Sequence, residues 1–315
     1  MADAAALPAA PLAAFEGERP PAPAWFDRVM AVEPERLAVE VEGAQIEALA
    51  WGPRGAPGLV LLHGAGGHAG WWRFVAPLLA HSYRVAAFSL SGMGASDWRE
   101  RYSMDTYADE AAAVAQAAGL FDAVAKPLVA GHSFGGRAVL RLAAREGERW
   151  RGAVVIDSII RRLGEPRMKG GLWEPRPTRI YPTMAAALAR FRLAPLQPCE
   201  NLFLVDAVAR EGIGPPRDGG EGFTWRFDPY LWPNLDGGPE VAADLAAARC
   251  PIALIYGARS RIMPAERVAL VRQIAPSVPL TAIAEAEHHV MLDQPIALAA
   301  ALEAHLALWP VEPRA

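Results

Sequence analysis

Ser133 lies in Gly131-His132-Ser133-Phe134-Gly135, after the apolar run Leu128–Ala130 and before a helix-like stretch, Gly136 to Glu146. A serine held in Gly-x-Ser-x-Gly between a strand and a helix has the setting of a nucleophile elbow. The glycines are needed because the turn brings backbone segments too close for a Cβ and asks for dihedrals that other residues resist. Such a turn lifts the hydroxyl out of the sheet and aims the helix N–H groups and its positive dipole end at the same spot. Alone, the pentapeptide is equally compatible with a plain tight turn, since glycine and serine are common.

The segments around it must position it. Arg36–Val41 and Gln45–Trp51 alternate as an opening β-hairpin. Gly58–Leu62, Tyr83–Leu90, Pro127–Ala130, Gly152–Ile156, Pro251–Tyr256 and Val278–Ile283 are apolar on both faces, as central parallel strands are. Between them run the helix candidates Gly70–Ala80, Thr106–Gly119, Gly136–Glu146, Ala265–Ile274 and Pro295–Leu308. This alternation predicts an α/β fold, a mostly parallel sheet flanked by helices. It fails from about Ser158 to Ala248, a stretch rich in Pro, Gly and Trp with helix-like pieces at Thr183–Phe191 and Leu202–Glu211. That is too long for a loop, so residues 159–248 are expected to be a mainly helical cap, with Gly212–Gly222 a mobile loop. The core is then 36–158 and 249–315, and residues 1–35 are a lead-in, flexible up to Ala24.

The 315 residues, 52% hydrophobic and 21% charged, suit a globular protein with a sizeable core. A net charge of −4 supplies no basic field for nucleic acid or anionic lipid. No apolar run approaches the roughly 18 residues needed to span a bilayer. The Ala- and Pro-rich start lacks the layout of a signal peptide, so the expected location is cytoplasmic. Cys199 and Cys250 require no disulfide, and Cys250 reads as a buried thiol at a strand start. Nothing has HExxH or similar ligand spacing, so neither metal nor cofactor is expected.

Four ordered motifs together resemble the α/β-hydrolase fold with an inserted cap, over about residues 36 to 309. Leu61-Leu62-His63-Gly64-Ala65-Gly66-Gly67 resembles its oxyanion loop, and Ser91-Gly92-Met93-Gly94-Ala95-Ser96-Asp97 its glycine-rich turn after the fourth strand. Gly131–Gly135 is the elbow. Glu287-His288-His289-Val290-Met291-Leu292-Asp293-Gln294-Pro295 resembles the terminal histidine loop, where an acid follows the histidine by five residues.

The resemblance implies Ser133 as nucleophile and His288 as the base a serine hydroxyl needs, with His289 as second choice. It implies backbone N–H groups of Ala65 and Phe134 as the oxyanion hole, with Phe134 also lining the pocket and His63 orienting its loop. The family's usual acid position, at the end of Gly257-Ala258-Arg259-Ser260, holds a serine here. A neutral group there cannot offset an imidazolium, and losing a triad carboxylate costs about 10⁴ in rate. Asp157, at the end of Gly152–Ile156, is the expected substitute, because some members carry their acid there; its competing role is a turn cap. Asp293 is expected to cap the last helix, with Glu285 and Glu287 as more distant candidates for the acid.

A serine at the elbow argues against mechanisms with a carboxylate nucleophile. The expected activity is hydrolysis of a carboxylic ester or related acyl bond, carboxylesterase-like, on a small hydrophobic or aromatic acyl substrate. The alternatives are carbon–carbon bond hydrolysis next to a ketone and a poorly catalytic ligand receptor of the same fold. Trp173, Phe191, Phe223, Trp225, Phe227, Tyr230 and Trp232 either line an acyl pocket or form the cap's own core. Arg179, Arg190, Arg192 and Arg226 read as solvated surface. The sequence leaves the substrate and the oligomeric state open.

Overall fold

A computed structural model describes residues 10–165, 178–236 and 240–309. β1 (Glu35–Val41) and β2 (Ala44–Trp51) form an antiparallel hairpin whose turn residues Glu42 and Gly43 both have positive φ, as tight two-residue hairpin turns require. β3 (Gly58–Leu62), β4 (Arg84–Phe88), β5 (Leu128–His132) and β6 (Gly152–Ile156) follow. β7 (Ile213–Gly214) and β8 (Thr224–Trp225) make a separate ribbon, and β9 (Ile252–Gly257) and β10 (Leu280–Ile283) complete the large sheet. Its order is β1-β2-β4-β3-β5-β6-β9-β10, parallel from β4 to β10.

Every residue of β3, β4, β5 and β6 is buried, which explains why these runs are apolar but for Arg84 and His132 at strand ends. Successive side chains point to opposite faces. Leu59 and Leu61 therefore join Trp72, Leu298 and Leu302 on one face, while Val60 and Leu62 join Tyr107, Val139 and Leu142 on the other. The flanking helix Met104–Ala117 starts at Ser103, whose hydroxyl accepts the Thr106 N–H at 3.0 Å. β3 lies between β4 and β5, so the winding direction reverses there. The crevice beyond the carboxyl ends of β3 and β5 is where such sheets place their sites.

Three segments differ from the sequence reading. Gly70–Ala80 is not one helix but a 3₁₀ turn, Ala69–Trp72, and a short helix, Ala76–Leu79. Pro77 has no N–H to continue an earlier helix, and it sits in the first turn of the second piece. The lead-in is packed, not loose, from residue 10 onward: Ala10, Leu12 and Phe26 are buried. The Phe26 and Phe203 rings meet edge-on at 5.1 Å, and Arg210 donates to the Gly17 carbonyl. The segment between β6 and β9 is helical only in short pieces among the described residues, Met184–Leu188, Leu202–Glu211 and Val241–Ala246. Recurrent prolines interrupt the rest. Both ends of the Gly212–Gly222 loop are tied down, Ile213–Gly214 by pairing with Thr224–Trp225 and Gly222–Phe223 by the Tyr181–Phe223 bridge. Among the described residues no helix is long and apolar enough to cross a membrane.

Candidate active site

β5 delivers Ser133 with φ 51° and ψ −112°, a backbone conformation that costs a non-glycine residue energy. The surroundings hold it there. Ser133 N–H donates to the Ile156 carbonyl at 2.8 Å, and its own carbonyl accepts from Ser158 Oγ at 2.7 Å and Gly136 N–H at 3.0 Å. Glycine at 135 is required by close approach, since a Cβ would lie 2.5 Å from the His63 carbonyl oxygen. The helix Phe134–Glu146 starts immediately, so the Phe134 N–H is one of the first-turn donors without an intrahelical acceptor.

The loop after β3 lies against this elbow. A Cβ on Gly64 would sit 3.2 Å from the Ser133 Cβ, and the loop turns back through Gly67 N–H to Gly64 O at 3.0 Å. His63 fixes its entry: Nε2 accepts from Leu90 N–H at 3.0 Å and Nδ1 donates to Gly64 O at 2.7 Å. Full burial lowers the His63 pKa to about 3, so the ring is neutral and serves as a strut. Ala65 lines the pocket beside Ser133.

β6 and the terminal loop bring the other two groups together. His288 Nδ1 is 2.8 Å from Asp157 Oδ1, both side chains almost wholly buried. The carboxylate has two further donors: Gly257 N–H on Oδ2 at 2.8 Å and Ser260 O–H on Oδ1 at 2.6 Å. Ser260 in turn accepts from Ile262 N–H at 3.1 Å. The histidine loop reaches β9 only because residue 257 is glycine; a Cβ there would be 2.5 Å from the Ala286 carbonyl oxygen. Ser133, His288 and His289 all line one narrow pocket with Gly64, Ala65, Gly67, Trp71, His132 and Ala194.

Three expected roles change. Asp293 does not cap the last helix, whose N-cap position is Gln294. Its carboxylate instead accepts the Glu287 N–H at 2.8 Å and the Gln197 amide, bracing the histidine loop against the β6–β9 insertion. Burial, the largest cause, raises its pKa. Phe134 does not line the pocket; its ring packs between Tyr107 at 5.4 Å and Trp232 at 5.3 Å. Among the described residues the insertion's aromatics stay out of the pocket: Phe191 and Tyr181 pack on Trp225 and Phe227 on Trp232, while Tyr230 is exposed. Trp173 lies outside the described residues. The pocket's aromatic wall is Trp71, which sequence reasoning missed because nothing in its local pattern marks it. Glu285 pairs with Arg259 at the surface, away from His288.

His289 has no carboxylate partner. Burial first, then the neighbouring His288 and His132 rings, hold its pKa well below normal, opposed only by the Pro195 carbonyl. Neither of its ring nitrogens makes a well-formed hydrogen bond. His132, inside the elbow motif, contacts the His288 carbonyl through Nε2 at 2.9 Å. One ring nitrogen from each of His132, His288 and His289 lies within 4.8 Å of the others, the one such group that could hold a metal among the described residues.

Residues 59–301 match the model of the alpha/beta hydrolase family. A 2-hydroxymuconate semialdehyde hydrolase of Pseudomonas sp. (strain CF600) is 38% identical over 105 residues, 32% of this chain and 36% of that protein. A non-heme chloroperoxidase of Streptomyces lividans is 37% identical over 121 residues, 38% of this chain and 42% of that protein. The matched stretches thus span less than half of these relatives. Among solved structures, a thioesterase domain from the curacin biosynthetic pathway superposes with a TM-score of 0.70 at 22% identity, covering 86% of this chain and 99% of that one; at that identity the likeness speaks for the fold alone. With more than half of its length matched by the family model, the chain belongs to the alpha/beta hydrolase family.

Proposed function

We propose that this protein is a serine hydrolase that cleaves a carboxylic ester or related acyl bond, such as a lactone or thioester, through an acyl-enzyme. The observation that carries the reading is the 2.8 Å contact of His288 Nδ1 with the Asp157 carboxylate, on a histidine that shares its pocket with Ser133. Asp157 fixes the tautomer with the proton on Nδ1, leaving Nε2 as the base, and stabilises the imidazolium when it forms.

In the first step Ser133 Oγ bonds to the acyl carbon while its proton passes to His288 Nε2. The carbonyl π pair moves onto oxygen, where the Phe134 and Ala65 N–H groups stabilise it, each donor worth roughly 3–4 kcal/mol. Collapse expels the leaving group, which takes the proton from His288. Water then adds to the acyl carbon with His288 again as base, and Ser133 leaves with that proton, releasing the acid. His289, with no carboxylate on either ring nitrogen among the described residues, suits a wall of the pocket, not the base.

The partial match to a 2-hydroxymuconate semialdehyde hydrolase keeps the second reading, hydrolysis of a carbon–carbon bond next to a ketone. The hydrogen bonds of the Asp157 carboxylate to His288 and Ser260 weigh against the poorly catalytic receptor of the same fold. The test is turnover of short-chain aryl esters against a vinylogous diketone by the wild type and Ser133→Ala. Ester turnover lost in the variant is expected; diketone cleavage alone favours the second reading.

A further inference from the structure

The cluster of His132, His288 and His289 has a property that the hydrolytic reading does not use. Two of its rings are already held through one nitrogen by the partners that ligating histidines characteristically have. His288 Nδ1 faces Asp157 Oδ1 at 2.8 Å, and His132 Nε2 faces the His288 carbonyl at 2.9 Å. A carboxylate or backbone carbonyl on one ring nitrogen fixes the tautomer and leaves the other as a lone-pair donor. The nitrogens so left are Nε2 of His288 and Nδ1 of His132, the latter buried without a hydrogen-bond partner. His289 adds a third ring with both nitrogens buried and without a partner in good geometry. The rings are close, with centroids 4.7 Å apart for His132–His288, 4.9 Å for His288–His289 and 5.7 Å for His132–His289.

We propose that these three histidines form an inhibitory site for a borderline divalent transition-metal ion such as Zn²⁺ or Cu²⁺. Binding rests on the cluster alone; the inhibition rests on the serine-hydrolase reading. Three imidazoles favour such ions over Mg²⁺ or Ca²⁺, which take oxygen ligands. One ring nitrogen of each residue lies within 4.8 Å of the others, against an edge of about 3.4 Å for a tetrahedron with zinc–nitrogen bonds near 2.1 Å, so the rings must close up on the ion. His289 has the least to lose in turning inward, because its ring has only the Pro195 carbonyl beside it and no well-formed hydrogen bond. All three residues line the pocket that Ser133 faces, so an ion has the substrate's own way in, and the fourth position falls to water or the Ser133 hydroxyl. An ion seated there takes the Nε2 lone pair that would accept the Ser133 proton.

The test is a titration of the full chain with Co²⁺, and with Zn²⁺ by calorimetry, in Ser133→Ala and in the wild type. Using the serine variant separates failure of the metal site from failure of the hydrolase reading, since no turnover is needed. One ion per chain and the intense visible bands of four-coordinate cobalt are expected in both proteins. Phe in place of His132 or His289 is expected to weaken binding at least about 10-fold, the lower bound for losing even an outer-shell partner. Zn²⁺ inhibition, scored against each protein's own basal rate and reversed by chelator, is expected to weaken in parallel. His81→Ala, which removes an exposed histidine, leaves binding unchanged. A six-coordinate cobalt spectrum or no saturable binding in the wild type overturns the site whether or not the variants fold. So does unchanged affinity in either folded Phe variant.

Discussion

The Ser260 hydroxyl donates a 2.6 Å hydrogen bond to Asp157 Oδ1, the same oxygen that stands 2.8 Å from His288 Nδ1. The residue at the family's usual acid position thus bonds to the carboxylate proposed as the acid, which stands on the neighbouring strand. β6 and β9 are paired neighbours, with Ile156 opposite Ile255, so a carboxylate leaving either strand end can reach one imidazole.

Asp157→Asn is therefore expected to lower kcat by at least about 10²-fold, towards the 10⁴ known for a triad carboxylate. Ser260→Ala is expected to cost about tenfold. It removes one hydrogen bond to a charged group, worth roughly 1.5–3 kcal/mol, while the Gly257 N–H remains on the other oxygen. Steady-state kinetics at matched folded fraction, checked by circular dichroism, order the two; a larger loss in Ser260→Ala contradicts the assignment.

Moving the acid back tests the same geometry by gain of function. Ser260→Asp added to Asp157→Asn is expected to recover at least about tenfold in kcat over the single variant, because the new carboxylate starts within hydrogen-bond reach of position 157. No recovery in a folded double variant means that the β9 turn cannot present a carboxylate to His288.

The two adjacent histidines should separate cleanly. His288→Gln is expected to lower kcat at least about 10³-fold, and His289→Gln less than about tenfold, since only His288 has a carboxylate on Nδ1. Equal losses in folded variants make the pair, not His288, the functional unit.

Acid should destabilise the fold below about pH 6.5. Burial lowers the pKa of His63 to about 3 from 6.5, and holds those of His132 and His289 well below the same value. The unfolded chain then binds more protons than the native one, so each histidine's stabilisation is complete above pH 6.5 and declines as pH falls towards its native pKa. The slope is about 1.4 kcal/mol per pH unit for each. Glu110, raised to about 7 by burial, works against this, because its native protonation favours the fold as pH falls. His68 and His305, also lowered by burial, add to the loss, and Asp244 and Asp293, raised by burial, offset part of it; five histidines against three carboxyls leave a net loss. Thermal melts are expected to give a Tm at pH 5 lower than at pH 7.5 by about 5 °C or more; a higher Tm at pH 5 reverses the sign.

The central strands were legible because they are apolar on both faces and bounded by turn residues, the opening hairpin because it alternates, and the elbow because its glycines are forced by local close approach. What escaped is long-range. Ser260 and Asp157 are 103 residues apart, and Asp293 meets Gln197 across 96. The spacing of Asp293 from Pro295 suggested a helix cap, but the Glu287 N–H competed for the carboxylate and won. Trp71 lines the pocket because Gly70 lets its turn pack against Glu211, a contact no periodicity records. The lead-in was misread because alanine and proline carry no pattern of their own; its order comes from the surface of Leu202–Glu211.

The most direct test of the central claim is the intact mass of the protein after incubation with an aryl fluorophosphonate, followed by peptide mapping. The account predicts one adduct per chain, on Ser133, with ester hydrolysis lost in proportion to labelling and no adduct in Ser133→Ala. Labelling at another residue, or near-native ester turnover in Ser133→Ala, contradicts it.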